Sequence, residues 1–476
     1  MKKRLHFRTW LAALLFLCVG GSSTWGQGTL YTIITNGPTA KRFNVVILAE
    51  GYTTNQLSLF LWDATNAANN LVAQSPLSEY RSYFNFHAIF VPSAEAGSDH
   101  PLAGTYKNTY FNSSFDSYGI SQLITIPPNS FDGDSSHGQG KVNSQLSTLM
   151  PDYDIVVLLV NDPEFGGSGS HDPDIAASSA LITSVNLFAF EIIAHEAGHS
   201  IAGLADEYEI PYAYTPMERP NATTVTNRST IKWAAWILGS TPVPTPESAA
   251  FDSVVGAFQG AQYQTTGWYR PKLDCKMRTI GYGGSVPFCE VCSEQLVKSI
   301  YGHVRPLDSF APSATNLGIY STQTVAFGVT PLQPTTHNLA VQWFTNNTPV
   351  SGATNPAFSL APKLLGNGAH SLKAVVSDPT SLVRNDVTKL LQQTNTWNLT
   401  LSLNDFALVS ARYLNTNRFR FTVTGTAPSG FIIQASTNLA NWVSLSTNVL
   451  AGGKYDYTNS NLTTLTQRFY RAVSKP

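Results

Sequence analysis

Short apolar runs punctuate the first half of the chain, and the spacing within each predicts one element. Phe43–Leu48 is a short apolar run, rich in β-branched residues and closed by Gly51, which predicts a buried strand. Leu57–Ala73 places Leu, Phe and Trp at helical intervals and predicts a helix. Phe84–Val91 (FNFHAIFV) and Asp154–Val160 (DIVVLLV) predict two more buried strands, and Ser178–Leu181 a short one. Phe188–Leu204 predicts a second helix. Strands alternating with helices point to an α/β sheet. The glycines of EFGGSGSHD, from Glu164 on, suit an edge strand beside a cleft, where an extended peptide can pair.

From about Pro312 the pattern changes to short alternating runs separated by turn residues: LAVQWFTN, HSLKAVVSD and WNLTLSL, then ARYLNTNRFRFTVTG, GFIIQASTN, NWVSLSTN, KYDYTN and RFYRAVS. That spacing predicts two small all-β, sandwich-type units, an Ig-like one over 311–403 and a second over 404–476. Trp343 and Trp442 are expected in their cores rather than on a sugar-binding face. The α/β part then spans 27–310.

Composition narrows the function. Only 12% of residues are charged, the net charge is -1 and the pI is about 6.8. No basic run interleaved with aromatics appears, so neither nucleic acid nor an anionic membrane is an expected partner. Lys2, Lys3, Arg4 and Arg8 precede an apolar core from Trp10 to Val19 that is too short to span a bilayer. Residues 1–26 therefore read as a secretory signal peptide, with a secreted, periplasmic or cell-surface destination and no span left after cleavage. Bulky Leu17 disfavours lipidation at Cys18. Few residues separate the cleavage site from the first strand, so no long inhibitory pro-segment is expected, and the chain is expected to be a monomer. The cysteines left after cleavage are Cys275, Cys289 and Cys292. A thiolate zinc site needs four ligands and a second close pair is missing, so the expectation is a disulfide from Cys275 to Cys289 or Cys292.

The chemistry concentrates in EIIAHEAGHSIAGLADEY, Glu191–Tyr208. On a helix, His195 and His199 share a face and can offer both imidazoles to one metal ion. Glu196 is placed to take a proton from water rather than to ligate. Zinc needs a third protein ligand and an open position. Gly203 can end the helix in a left-handed conformation, and the chain can turn back to bring Asp206 or Glu207 to the metal.

HEAGHSIAGLADEY, with VVILAEGYT (Val45–Thr53), FNFHAIFVPSAEAGSD (Phe84–Asp99), CKMR and PFCEVC (Cys275–Cys292), resembles the family of secreted zinc metallopeptidases named after clostridial IgA peptidase, over roughly Ala40–Tyr301. The resemblance implies a zincin-like catalytic domain ahead of the two β units, and a zinc endopeptidase acting on protein or peptide. It implies His195, His199 and Asp206 as ligands and Glu196 as general base. The spacing to Asp206 is one residue longer than His-Glu-x-x-His-x-x-Gly-x-x-Asp. Met277, after the histidine helix, is a candidate for the methionine turn that lies beneath the metal in metzincin-like enzymes, or a plain core methionine.

Tyr208 and Tyr282 are candidate oxyanion donors. His171, near the glycines, reads as structural or solvated. Asp132, Asp134, Asp172 and Asp174 lie in Gly- and Ser-rich loops of a kind that sometimes holds Ca2+, although their spacing fits no EF-hand. A competing reading is an exported adhesion protein in which the β units bind surface or matrix ligands; the intact Glu196 argues against it. A third is a zinc hydrolase with a non-protein substrate.

Overall fold

The computed structural model describes residues 26–127, 138–170, 180–185, 189–210, 214–280, 286–320, 322–403, 406–425, 430–460, 462 and 467–475. The signal-peptide segment, Tyr282, His171 and the acidic loop residues Asp132, Asp134, Asp172 and Asp174 fall outside them.

A six-stranded mixed sheet organises the first half. Its strands are β1 (Thr29–Ile34), β2 (Phe43–Glu50), β3 (Phe84–Phe90), β4 (Ile155–Val160), β5 (Gly167–Ser170) and β6 (Ala180–Ser184), in the order β1-β3-β2-β4-β6-β5. The inner strands are parallel; β1 and β5 are antiparallel edges. Helices α1 (Leu57–Leu71), α2 (Gly138–Leu149), α3 (Ala189–Ala202) and α4 (Glu290–His303) cover it. Side chains alternate along β2: Val45, Ile47 and Ala49 pack with Phe60 of α1, Ile193 of α3 and Leu296 of α4. Val46 and Leu48 pack on the other face with Val142 and Leu146 of α2. With both faces covered, the inner strands are dominated by apolar residues on both sides, continuously so in β4, which is why they were legible. The expected helix over 57–73 ends at Leu71, and the strand expected over 178–181 runs from Ala180 to Ser184.

Beyond α3 a hairpin forms from β7 (Phe258–Ala261) and β8 (Gln264–Arg270). The chain then continues into β structure. Strands β9 (Leu307–Ala311), β10 (Asn316–Ile319), β11 (Val325–Pro331), β12 (Ala340–Thr345), β13 (Thr348–Pro349), β14 (Ala357–Leu360), β15 (Gly368–Ser377) and β16 (Gln392–Leu401) form a five-stranded and a three-stranded sheet. One core is shared between them, with Trp343 stacked on Trp397 at 5.7 Å. Strands β17 (Phe406–Asn415), β18 (Arg418–Gly425), β19 (Phe431–Ser436), β20 (Val443–Asn448), β21 (Lys454–Asn459) and β22 (Phe469–Ser474) form two three-stranded sheets around Phe421, Val423, Phe431 and Ile433. Trp343 is fully buried. Trp442 is not in the core as expected: it lies half-buried beneath the guanidinium of Arg471, with its indole N–H donated to Leu439 O.

The first β unit is tied to the α/β part through buried Asp378, which accepts hydrogen bonds from the hydroxyls of Tyr80 and Tyr301 at 2.7 Å each and pairs with His337. Arg42 pairs with Asp308 at 2.9 Å across the same junction. Among the described residues no helix is long and apolar enough to cross a membrane.

Candidate metal centre and active-site cleft

Helix α3 is buried almost all round because it lies between the sheet and helices α1 and α4. It stops where the sequence implies. Gly203 takes φ +60°, and its N–H bonds to His199 O at 2.8 Å, the left-handed cap that a side chain at this position would strain. The reversal places Leu204 O on His199 Nδ1 at 2.7 Å and carries the chain back to Asp206.

Three donor atoms converge there. His195 Nε2 lies 3.0 Å and His199 Nε2 3.3 Å from Asp206 Oδ1, and the two Nε2 atoms are 3.3 Å apart. The other ring nitrogens are committed: His195 Nδ1 meets Lys276 O at 2.9 Å, as His199 Nδ1 meets Leu204 O. A carbonyl can only accept, so each Nδ1 carries a hydrogen and each Nε2 is left for a proton or a metal ion at the common point. Donor atoms this close share a proton or a metal ion; without the metal, protonated His199 pairs with Asp206.

The titration of the site follows from the same crowding. Burial opposes charge on His199, but the Asp206 carboxylate, its hydrogen bond and Glu196 outweigh it and lift the imidazole to about 9. His195 is raised for related reasons, against its burial. Burial works to raise Asp206, yet the two imidazoles hold it well below the usual carboxylate range. Burial pushes Glu196 up, partly offset by the two histidines.

Glu196 faces the edge strand β5. A Cβ built on Gly167 would lie 3.2 Å from Glu196 Oε1, and one on Gly169 would lie 3.0 Å from Glu196 Oε2 and 2.6 Å from Glu196 O. Only glycine lets this strand lie so close over α3. Gly167 pairs outward with the Gln122–Ile124 segment, its N–H donated to Gln122 O at 3.2 Å, and Gly169, two residues on, directs its backbone groups to the same side, beside the cleft. A cleft of about 440 Å³ runs past β5, Glu196, both histidines, Asp206 and Tyr208.

A model of the IgA Peptidase M64 family matches residues 32–251 and 247–300, more than half of the chain. The chain belongs to the IgA Peptidase M64 family. It is therefore a peptidase of a metal-dependent family, with protein or peptide as substrate. No curated protein matches the chain. Among solved structures, the fibronectin(III)-like modules of Clostridium thermocellum CbhA match at 12% identity and TM-score 0.16, covering 31% of this chain and 77% of that one. Bacteroides uniformis beta-glucuronidase 3 matches at 9% identity and TM-score 0.15, over 44% and 28%. Domains 5–6 of the S-layer protein SbsC match at 11% identity and TM-score 0.12, over 35% and 97%. Likenesses at these scores carry no argument.

Within this M64 chain, Met277 lies beneath the histidine helix: a Cβ on Gly198 would meet Met277 Sδ at 2.5 Å. Tyr208 stacks toward His195, ring centres 6.5 Å apart, and lines the cleft. The expected disulfide is not formed. Cys275, Cys289 and Cys292 are free, buried thiols, with Cys275 Sγ 3.7 Å from Cys292 Sγ against a bond length of about 2.05 Å. Glu207 does not join the histidines; it turns to the cysteines.

Sequence reasoning passed over four residues of the site. The Tyr263 hydroxyl donates to Asp206 Oδ2. It arrives on the tip of the β7–β8 hairpin, where Gln262 and Tyr263 both have positive φ (51° and 66°), positions normally filled by Asn-Gly. Gln262 N and Tyr263 N dock this tip on Asp206 O and Tyr208 O, both at 2.9 Å. Buried Asn221 braces the segment, accepting from Ala205 N and donating to Glu207 Oε1. Lys276, whose carbonyl meets His195, has its ammonium on Glu191 of α3, and both side chains are fully buried. "AQYQ" contains no turn signature, and Asn221, Tyr263 and Lys276 are remote from the histidine motif in sequence, so the motif showed its own end of each contact and not the partner.

Proposed function

We propose that this M64 peptidase is a zinc-dependent endopeptidase of the zincin type. The convergence of His195 Nε2, His199 Nε2 and Asp206 Oδ1, with both Nδ1 atoms already committed, carries the reading. The residues fit the ion. Tetrahedral zinc with bonds of about 2.0–2.1 Å to N and O sets ligand-to-ligand edges of roughly 3.4 Å, and the three edges here are 3.0, 3.3 and 3.3 Å. Three protein ligands beside a cleft leave a position open, as a catalytic site requires.

Zinc bound there supplies Lewis acidity, which polarises the scissile carbonyl and makes water a better nucleophile at neutral pH. The chain's own residues do the rest. Glu196 takes the proton of the attacking water at its carboxylate and hands it to the leaving amine. The upward push of burial brings its proton affinity closer to what both transfers need. Tyr263 and the two carbonyls fix the orientation of Asp206 and the imidazoles. The open edge at Gly169 pairs with the substrate backbone, and Tyr208 is placed on the cleft wall to steady the oxyanion. The basic and apolar pattern of residues 1–26 supports export, which N-terminal sequencing of the secreted protein tests.

The test is Glu196→Gln assayed on a broad peptide library. Hydrolysis should fall about 10²- to 10⁴-fold with metal content unchanged; undiminished cleavage would refute the role.

A further inference from the structure

Immediately behind the histidine site, Glu207, Cys275, Cys289 and Cys292 bring one carboxylate oxygen and three sulfurs within 4.8 Å of one another, all buried. We propose that these four residues form a second, closed site for a thiolate-binding divalent metal, zinc by chemical class, which holds the catalytic ligands in place.

The geometry separates this from a disulfide with a spare thiol. Cys275 Sγ and Cys292 Sγ are 3.7 Å apart. Tetrahedral zinc with Zn–S bonds of about 2.3 Å places two sulfurs about 3.8 Å apart. Glu207 supplies an independent observation. Its side chain is fully buried; Oε1 lies 3.4 Å from Cys292 Sγ and accepts from Asn221, while Oε2 has no partner among the described residues. One oxygen of this buried carboxyl group meets the Cys292 sulfur and the other goes unpaired, as in a metal site without its ion. The amide of Cys289 donates to Cys275 Sγ at 3.2 Å, and Cys289 and Cys292 sit at the N-terminus of α4, where the helix dipole favours thiolates. Four protein ligands and no exposed face describe a structural site, whereas the histidine site keeps a ligand position open to the cleft.

Two of the ligands, Glu207 and Cys275, neighbour parts of the catalytic centre. Glu207 follows Asp206, and its N–H bonds to Met277 O at 2.8 Å. Cys275 precedes Lys276, whose carbonyl meets His195, and Met277, which lies under Gly198. The proposed ion therefore staples the segment after α3, the 275–278 turn and α4 into one frame. Binding releases the thiol and carboxyl protons and involves no oxidant.

The experiment is metal analysis of the whole purified chain, with cobalt(II) exchange and peptide mapping of thiol alkylation. About two metal equivalents are expected, one per donor set. Cobalt should give the intense near-ultraviolet band of thiolate-to-metal charge transfer. His195→Ala should lose the histidine-bound equivalent and keep that band; Cys292→Ser should lose the band and about one equivalent. In the unmutated chain, Cys275, Cys289 and Cys292 should resist alkylation until chelator and denaturant are added, so the result does not depend on a variant folding. A disulfide among the three, or three thiols with no cobalt–thiolate band, would overturn the proposal. Loss of the band with the His195 equivalent intact leaves the catalytic reading standing; the converse result fails the catalytic reading alone.

Discussion

Asp206 and Glu207 are adjacent in the chain, yet their carboxylates enter donor sets of opposite character. On one side, two imidazoles and a carboxylate border a cleft of about 440 Å³, with Glu196 beside them. On the other, three thiols and a carboxyl group are buried among α4, the 275–278 turn and the segment that follows α3. Three nitrogen and oxygen ligands with an opening suit catalysis; four sulfur-rich ligands without one suit structure. The difference lies in access and ligand number, and it shows how a single extended segment can couple a reactive centre to a rigid one.

The comparison breaks most sharply if removing a ligand on the open side also dismantles the closed side. His199→Ala should cut peptide hydrolysis on the order of 10³-fold or more, with loss of the metal's several kcal/mol of charge stabilisation. Thiol accessibility at Cys275, Cys289 and Cys292 should not change, as read by alkylation mapping. The buried Lys276–Glu191 pair joins the two sides. Lys276→Ala strands Glu191 without its cation, and should destabilise the fold by about 3–5 kcal/mol in denaturant titration. Replacing both partners with apolar residues of similar size should recover most of that loss.

Tyr263→Phe removes the hydrogen bond to Asp206 and leaves the ring. It should lower metal affinity or activity about 10- to 100-fold, with unfolding little changed. At the open site, protons compete with the metal in a predictable way. His199 is raised to about 9 in the metal-free site, so its ion pair with Asp206 stabilises the fold fully below the unfolded value near 6.5, and that contribution is lost as pH rises through about 9. Metal must displace this proton. Affinity of the chelator-treated protein should rise roughly tenfold per pH unit per displaced proton up to about 9 and then level off. A flat profile in a competitive metal titration would contradict the assignment. The smallest effect belongs to the turn between the two sides: Gly203→Ala, at φ +60°, should cost about 1 kcal/mol in thermal unfolding.

How much of this was legible depended on contact distance along the chain. The inner strands announced themselves because both faces are buried, and α3 because His195, Glu196 and His199 lie within one turn. Helix α4 carries Val291, Leu296, Val297 and Ile300 at helical spacing and was within reach of periodicity. Helix α2 was not: GQGKVNSQLSTL has too few apolar residues, and it forms because Val142 and Leu146 meet the sheet. The cysteines invited a disulfide because sequence counts thiols and cannot see Glu207 arriving beside them.

By itself, then, the sequence determined the α/β character of the first half, the β character of the second, the pairing of two imidazoles on one helical face, and the glycine that turns the chain back. These are local consequences of periodicity and backbone freedom. Only the tertiary structure decided which carboxylate serves which donor set, and that Tyr263, Asn221 and the Lys276 carbonyl hold them. Those contacts span 57, 14 and 81 residues, and no local pattern encodes a partner that only packing brings within reach.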